Sequence, residues 1–144
     1  MNNYNGYYSW YQPANDYGLE RLIPNRDNLF NPTDGFDKGN MFTNLYEQYK
    51  NFTPSKPKIT NEQEKLLYDL QAICFAAHDL NLYLDIHPED QSMLMLFNDY
   101  RKKANELTME YEKKYGPITV SSNQMNSNIF DWENSPWPWE GYHV

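Results

Sequence analysis

The sequence has little positive charge, and that charge is unevenly distributed. Of the 144 residues, 12 are lysine or arginine and 20 are aspartate or glutamate, so the formal net charge is -8. Residues 116–144 carry three acidic side chains and no basic one. Binding to nucleic acid or to an anionic membrane surface depends on clustered basic residues. The charge distribution therefore argues against both kinds of partner.

Cysteine and long apolar runs are also scarce. Cys74 is the only cysteine, so the chain cannot form an internal disulfide. No uninterrupted apolar stretch approaches the ~20 residues that a membrane-spanning helix needs. The first ten residues, MNNYNGYYSW, lack the basic start and the apolar centre of a signal peptide. We therefore expect the protein to be made and kept inside a cell.

Aromatic residues, in contrast, are abundant and make up 17% of the chain. Disordered chains are poor in aromatic residues, so this composition favours a folded unit. We predict an all-α protein in which an antiparallel two-helix hairpin spans residues 60–115. Extended, irregular, aromatic-rich arms are predicted over residues 1–59 and 116–144. The first arm is rich in proline, and one short helix is predicted within GNMFTNLYEQYKNF, residues 39–52.

Two long segments of the predicted hairpin have apolar residues at helical spacing. Thr60 and Gln63 fit a capping box at the start of the first helix. The segment DIHPED predicts the turn, with Pro88 at the first position of the second helix, and Gly116 predicts the end of that helix. A short connection makes the two helices antiparallel, so their apolar seams should face each other. The seam residues are Leu66, Leu70, Ile73, Ala77, Leu80, Leu84, Met93, Phe97, Tyr100, Ala104, Leu107 and Tyr111.

The first predicted helix has a second apolar stripe on the side opposite its seam. A helix that is apolar on two sides must be covered on two sides. The cover is either an arm of the same chain, or a partner protein, or a second copy of the chain. The stripe is therefore a candidate docking surface, made of Tyr68, Phe75, Leu82 and Ile86.

Tryptophan is concentrated near the end of the chain. Pro136 and Pro138 restrict this segment to extended conformations, which lowers the entropy lost when it is ordered. One buried tryptophan removes roughly 150–250 Å² from water. We therefore predict that the segment docks, either on the second stripe of the first helix or on a partner protein. The docking residues predicted there are Trp132, Trp137 and Trp139.

The sequence shows no arrangement of reactive residues that is typical of an enzyme. Its three histidines are His78, His87 and His143, and Cys74 is expected to be a small buried hydrophobic residue. The turn segment 85–90 groups one histidine with carboxylates, but helix capping explains those carboxylates without a metal. We therefore expect no catalytic site, no metal site and no cofactor.

Four stretches in the second half of the sequence carry a family resemblance: LNLYLDIHPED, FNDY, EKKYGPITV and WPWE. Together they resemble the spore coat-associated protein family CotJB, over residues 62–140. Within the first arm, NPTDGFDKGNMFTNLYEQYKNF resembles the companion coat protein family CotJA.

The resemblance implies a non-enzymatic structural protein that is made in the mother-cell cytoplasm and assembled into the endospore coat. It also implies association with other coat proteins, among them a manganese catalase-like protein of the CotJC type. The residues alone leave one alternative open, a helical-hairpin adaptor or regulatory protein unrelated to sporulation. Expression late in sporulation separates the coat protein from that alternative.

Overall fold

The computed structural model describes residues 28–122, and these residues form three helices and no named β-strand. The helices are α1 (Pro32–Lys38), α2 (Glu62–Ile86) and α3 (Gln91–Tyr115). The predicted all-α class is confirmed. Both α2 and α3 have 25 residues, so each is about 38 Å long at a rise of 1.5 Å per residue.

The start of α2 is capped one residue later than the sequence predicts. Asn61 is the N-cap, and its side chain accepts a hydrogen bond of 2.8 Å from the backbone N–H of Glu64. The Glu64 carboxylate in turn accepts from the backbone N–H of Thr60 at 2.6 Å and from its hydroxyl at 2.9 Å. These hydrogen bonds, the backbone one foremost, lower the pKa of Glu64. The predicted pairing of Thr60 with Gln63 is therefore wrong.

The turn between α2 and α3 also differs from the prediction. Pro88 lies in the turn, and Asp90 is the N-cap of α3. The Asp90 carboxylate accepts hydrogen bonds from the backbone N–H groups of Ser92 at 3.1 Å and Met93 at 3.0 Å. The bond from the Met93 N–H is the main cause that lowers the pKa of Asp90. At the other end, Gly116 adopts a φ of 101° directly after α3, as predicted for a helix stop.

Contacts between the ends of α2 and α3 set their relative direction. Lys114, near the end of α3, lies 2.7 Å from the carboxylate of Glu62 at the start of α2. The side-chain amide of Gln63 donates a hydrogen bond of 3.1 Å to the hydroxyl of Tyr111. Because the start of one helix meets the end of the other, α2 and α3 run antiparallel and form a hairpin.

The core of the protein lies along the facing sides of α2 and α3. Three further residues, Ala72, Ala76 and Leu96, are buried in this core but were not among the predicted seam residues. The seam residues that are buried are Leu66, Leu70, Ile73, Ala77, Leu80, Tyr100 and Leu107. The seam residues that are partly buried are Leu84, Met93, Phe97, Ala104 and Tyr111.

The short helix of the first arm lies outside the segment where it was predicted. No helix forms over residues 39–52, and α1 precedes that segment. Asn31 caps α1 by accepting a hydrogen bond of 2.8 Å from the N–H of Asp34, and Pro32 is the first helical residue. Gly39, with a φ of 72°, ends α1 in the left-handed conformation that glycine favours. These capping residues decide the position of the helix, and the apolar spacing farther along the arm does not.

The two flanks of α1 pair with each other and join the hairpin core. The N–H of Phe30 donates to the carbonyl of Met41 at 2.8 Å. Leu29 and Phe42 form an isolated antiparallel β-bridge. Leu29, Met41 and Phe42 are all buried in the same core cluster as the seam of α2. This part of the arm is therefore irregular, as predicted, but it is an integral part of the fold.

Candidate docking surface

The second apolar stripe of α2 is divided into a covered half and an open half. Tyr68 and Phe75 form the covered half, and both are partly buried. Leu82 and Ile86 form the open half, with 50% and 76% of their surface exposed. The structure thus places the four predicted residues in two different environments along one helix.

The covered half lies beneath α1 of the first arm. The ring of Phe36 lies 5.7 Å from the ring of Tyr68 and 5.9 Å from that of Phe75, between centroids. The Tyr68 hydroxyl donates a hydrogen bond of 2.6 Å to the carboxylate of Asp37. Burial, together with this carboxylate, raises the pKa of Tyr68. The chain's own arm therefore covers this half of the stripe.

Two further contacts attach the arm to α2 beyond Phe75. The carboxylate of Asp79 accepts a hydrogen bond of 2.7 Å from the backbone N–H of Met41. The ring of Phe42 stacks on that of Tyr83 with centroids 5.1 Å apart. Asp79 lies nearly in line with the stripe, between its two halves, whereas Tyr83 is rotated from the stripe direction by about 60°. Leu82 and Ile86 remain exposed beyond these contacts. The arm therefore passes beside the open half without covering it.

The open half ends in a shallow depression at the hairpin turn. The depression has a volume of about 380 Å³. The Tyr83 hydroxyl donates a hydrogen bond of 3.1 Å to Asp90, which joins the two sides of the turn. The residues that line the depression are Tyr83, Ile86, His87, Pro88, Glu89 and Asp90.

The open half is surrounded by negative charge. No lysine or arginine occurs between Lys65 and Arg101, whereas six acidic residues do. Asp85 and Glu89 are exposed close to Ile86 in the chain. An apolar surface with carboxylates beside it is complementary to an apolar surface with lysine or arginine beside it.

The reactive residues do not assemble into a site within the described part of the chain. His78 is exposed, and His87 is exposed with its ring 4.4 Å from that of Tyr83. The expected burial of Cys74 is wrong, since Cys74 is exposed on α2. Desolvation by the surrounding protein nevertheless raises the pKa of its thiol, which disfavours the nucleophilic thiolate.

Residues 28–122 contain neither a candidate metal site nor a candidate membrane span. No group of three or more His, Cys, Asp or Glu side chains in this range could hold a metal ion. None of the helices α1 to α3 is long and apolar enough to cross a membrane. His143 and the predicted docking residues Trp132, Trp137 and Trp139 lie outside the described residues.

The described residues define a small helical-hairpin protein with a docked arm and one partly open apolar stripe. The family model of the CotJB protein matches residues 64–140, just over half of the chain. The chain belongs to the CotJB family, which is a family of spore coat-associated proteins. No curated protein and no solved structure was found to match the chain. The first arm lies outside the matched residues, so its resemblance to CotJA stays a prediction.

Proposed function

We propose that this chain is a non-enzymatic structural component of the endospore coat that binds another coat protein through the open half of the α2 stripe. Membership of a spore coat family carries the first part of the proposal. The exposure of Leu82 and Ile86 on an otherwise covered stripe supports the second part. In this proposal the chain is made in the mother-cell cytoplasm and then assembled into the coat.

The open half offers both binding energy and selectivity. Full burial of one leucine or isoleucine side chain stabilises a complex by roughly 1.5–3 kcal/mol, before the costs of association are subtracted. The acidic residues beside Ile86 favour a partner that presents lysine or arginine next to an apolar surface. The same carboxylates disfavour acidic partners, because an uncompensated like charge opposes binding.

The proposed partner is a manganese catalase-like coat protein of the CotJC type, as the family resemblance implies. The aromatic arms are the second contact in the proposal. Trp132, Trp137 and Trp139 contribute to it either by touching the partner or by covering another surface of the hairpin. The second role leaves the open half of the α2 stripe as the partner-facing surface.

Co-expression with the manganese catalase-like protein, followed by purification through a tag on one of the two chains, tests the proposal. We expect both proteins to co-purify, and the double variant Leu82→Lys, Ile86→Lys to abolish co-purification. Leu45→Lys is the matched control, since Leu45 is 63% exposed on the first arm. Failure of the unsubstituted pair to co-purify would contradict the proposed partner.

Localisation is tested separately with a fluorescent fusion of the full chain. We expect the fusion to appear late in sporulation and to surround the developing spore. A fusion that is present throughout growth and stays diffuse in the cytoplasm would favour the adaptor or regulatory alternative.

A further inference from the structure

Exposed apolar side chains of the first arm surround a second depression, which we call the arm depression. Leu45, Tyr49 and Phe52 line it, and they are 63%, 82% and 46% exposed. Its volume of about 460 Å³ is within the roughly 300–1,000 Å³ of typical binding pockets. None of its lining residues belongs to α2 or α3. Three large apolar side chains exposed at one place are typical of a surface that another segment or molecule covers.

The described part of the chain begins beside the arm depression. Asn28 is its first residue, and Phe30 lies two residues farther on. The ring of Phe30 lies 5.8 Å from that of Tyr46 between centroids, and the Lys38 ammonium lies 4.6 Å from the centroid of the Phe30 ring. Tyr46 and Lys38 both line the arm depression. Residues 1–27 therefore join the described residues close to its wall.

The pairing of the two flanks of α1 sets the direction from which those residues arrive. The backbone N–H of Thr43 donates a hydrogen bond of 3.0 Å to the carbonyl of Asn28, beside the antiparallel bridge between Leu29 and Phe42. In an antiparallel pair, the residues before one segment lie next to the residues after the other. The residues that precede Asn28 therefore approach those that follow Thr43. Leu45, which lines the arm depression, lies two residues after Thr43.

An apolar pair lies at a suitable distance before Asn28. Leu22 and Ile23 are adjacent, and Pro24 restricts Ile23 to extended conformations, which lowers the entropy lost on docking. Asn28 is five positions after Ile23, so the connection spans up to ~17 Å when extended. That reach is sufficient, since Phe30 already contacts the wall of the depression. So short an intrachain connection gives an effective concentration in the millimolar range, which favours this segment over a separate molecule.

We propose that Leu22 and Ile23 dock in the arm depression of the same chain and cover Leu45 and Tyr49. The docked segment then extends an interface that the bridge between the two flanks of α1 already forms. The arm thereby buries its own exposed apolar side chains. The open half of the α2 stripe is a separate surface, so the inference does not depend on the proposed function.

A double-mutant cycle on the full chain tests the inference. The first pair of substitutions, Leu22→Ser, Ile23→Ser, removes the docking side chains. The second pair, Leu45→Ser, Tyr49→Ser, removes the surface that they cover. Each pair alone should lower the melting temperature by several degrees. The two pairs combined should lower it by little more than either pair alone, because each removes the same contact.

Trypsin gives a second measurement on the same segment. Arg21 directly precedes Leu22, so docking should protect the bond between them from cleavage. Cleavage after Arg21, followed by mass spectrometry, should be slow in the parent protein. It should become faster after Leu45→Ser, Tyr49→Ser, since that pair of substitutions releases the segment.

The matched control is Leu82→Ser, Ile86→Ser, at positions that are also at least half exposed. Its effect on the melting temperature should be small and should simply add to that of the Leu22, Ile23 pair. It should also leave the rate of cleavage after Arg21 unchanged. Circular dichroism of each variant verifies that the helices are intact, and co-purification with the catalase-like protein is measured independently.

Four results would overturn the inference. Full additivity of the two pairs of substitutions would show that the segments do not touch. Coupling of the Leu22, Ile23 pair to the control pair alone would place the segment on α2. Coupling that disappears on dilution would identify a second copy as the source of the segment. Coupling of the Leu45 surface to Trp132→Ser, in place of the Leu22, Ile23 pair, would make the final segment of the chain the occupant.

Discussion

The covered and open halves of the α2 stripe are both apolar, but only one of them is covered by the first arm. Tyr68 and Phe75 are apolar and aromatic, Leu82 and Ile86 are aliphatic, and all four lie on one side of one helix. The ring of Phe36 contacts the first pair and extends no farther. The first arm then contacts Asp79 and Tyr83 through Met41 and Phe42, and its path leaves Leu82 and Ile86 uncovered.

Polar contacts reinforce this division. Next to the covered half, Tyr68 and Asp79 each form a hydrogen bond with the arm. Around the open half the carboxylates of Asp85 and Glu89 face solvent. A surface that is apolar, exposed and acidic is poorly suited to packing against this acidic chain. It is well suited to a partner that carries positive charge.

The largest expected effect on stability comes from removing the Phe36 ring, which covers Tyr68 and Phe75. Phe36→Ala should lower the free energy of unfolding by about 2–3 kcal/mol, below the ~3–5 kcal/mol of a fully buried phenylalanine because Phe36 is only partly buried. Urea unfolding followed by circular dichroism measures the change. Phe52→Ala is the control, since Phe52 is 46% exposed in the same arm. Equal losses for the two variants would show that α1 does not hold the covered half.

The next largest effect comes from Asp79, which attaches the arm beside the boundary of the two halves. Asp79→Ala removes the acceptor for the N–H of Met41, a fully buried residue, and should cost about 1–2 kcal/mol. Asp79→Asn retains an acceptor oxygen and should recover most of that loss. Asp85→Ala, at an exposed position of the same helix, should change the free energy of unfolding by less than about 0.5 kcal/mol. A loss from Asp85→Ala as large as that from Asp79→Ala would contradict the assigned role of the Met41 contact.

The sequence was sufficient to predict the hairpin because its signals are local. Apolar residues recur at helical spacing through α2 and α3, and Gly116 marks a stop that the structure retains. Where the local prediction was wrong, another local signal was stronger. Phe42 has helical spacing with later residues of the arm, but Asn31 and Pro32 are start signals for α1 and Gly39 is its stop signal. Attention to these capping residues would have placed the short helix correctly.

The division of the α2 stripe could not be predicted from the sequence. The contact between Met41 and Asp79 joins residues 38 positions apart, and the contact between Asp37 and Tyr68 joins residues 31 apart. Nothing in either local sequence specifies the other. A two-sided apolar helix can be recognised from its pattern, but the pattern does not say how far the cover extends. The same reason explains why the exposure of Cys74 was not predicted. Whether a helical side chain is buried depends on neighbours that are distant in the chain.

A smaller, pH-dependent effect is expected at the turn that borders the open half. Hydrogen bonding lowers the pKa of the Asp90 carboxyl in the folded state, so its stabilisation is complete above the unfolded value of about 4. It is lost as the pH falls through the lower, folded value. Asp90→Ala should therefore cost about 1 kcal/mol at neutral pH and progressively less in acid. Thermal unfolding across this pH range measures the difference, and Asp90→Asn, which still caps but does not titrate, should show less of it. A constant difference at all pH values would contradict the role of the carboxylate.

The smallest effect on stability is expected from substitutions in the open half itself. It distinguishes the open half from the covered half most directly. The double variant Leu82→Ser, Ile86→Ser should change the free energy of unfolding of the isolated protein by no more than about 0.5 kcal/mol per site, because the two residues are already 50% and 76% exposed. Phe75→Ser, on the same stripe but under Phe36, should cost several times more. If the double variant were as destabilising as Phe75→Ser, another segment of the chain would have to cover the open half in the free protein. That result would remove the open half as a partner surface. A neutral result leaves Leu82 and Ile86 available, and their exposure is then best explained by binding, since it contributes nothing to the fold.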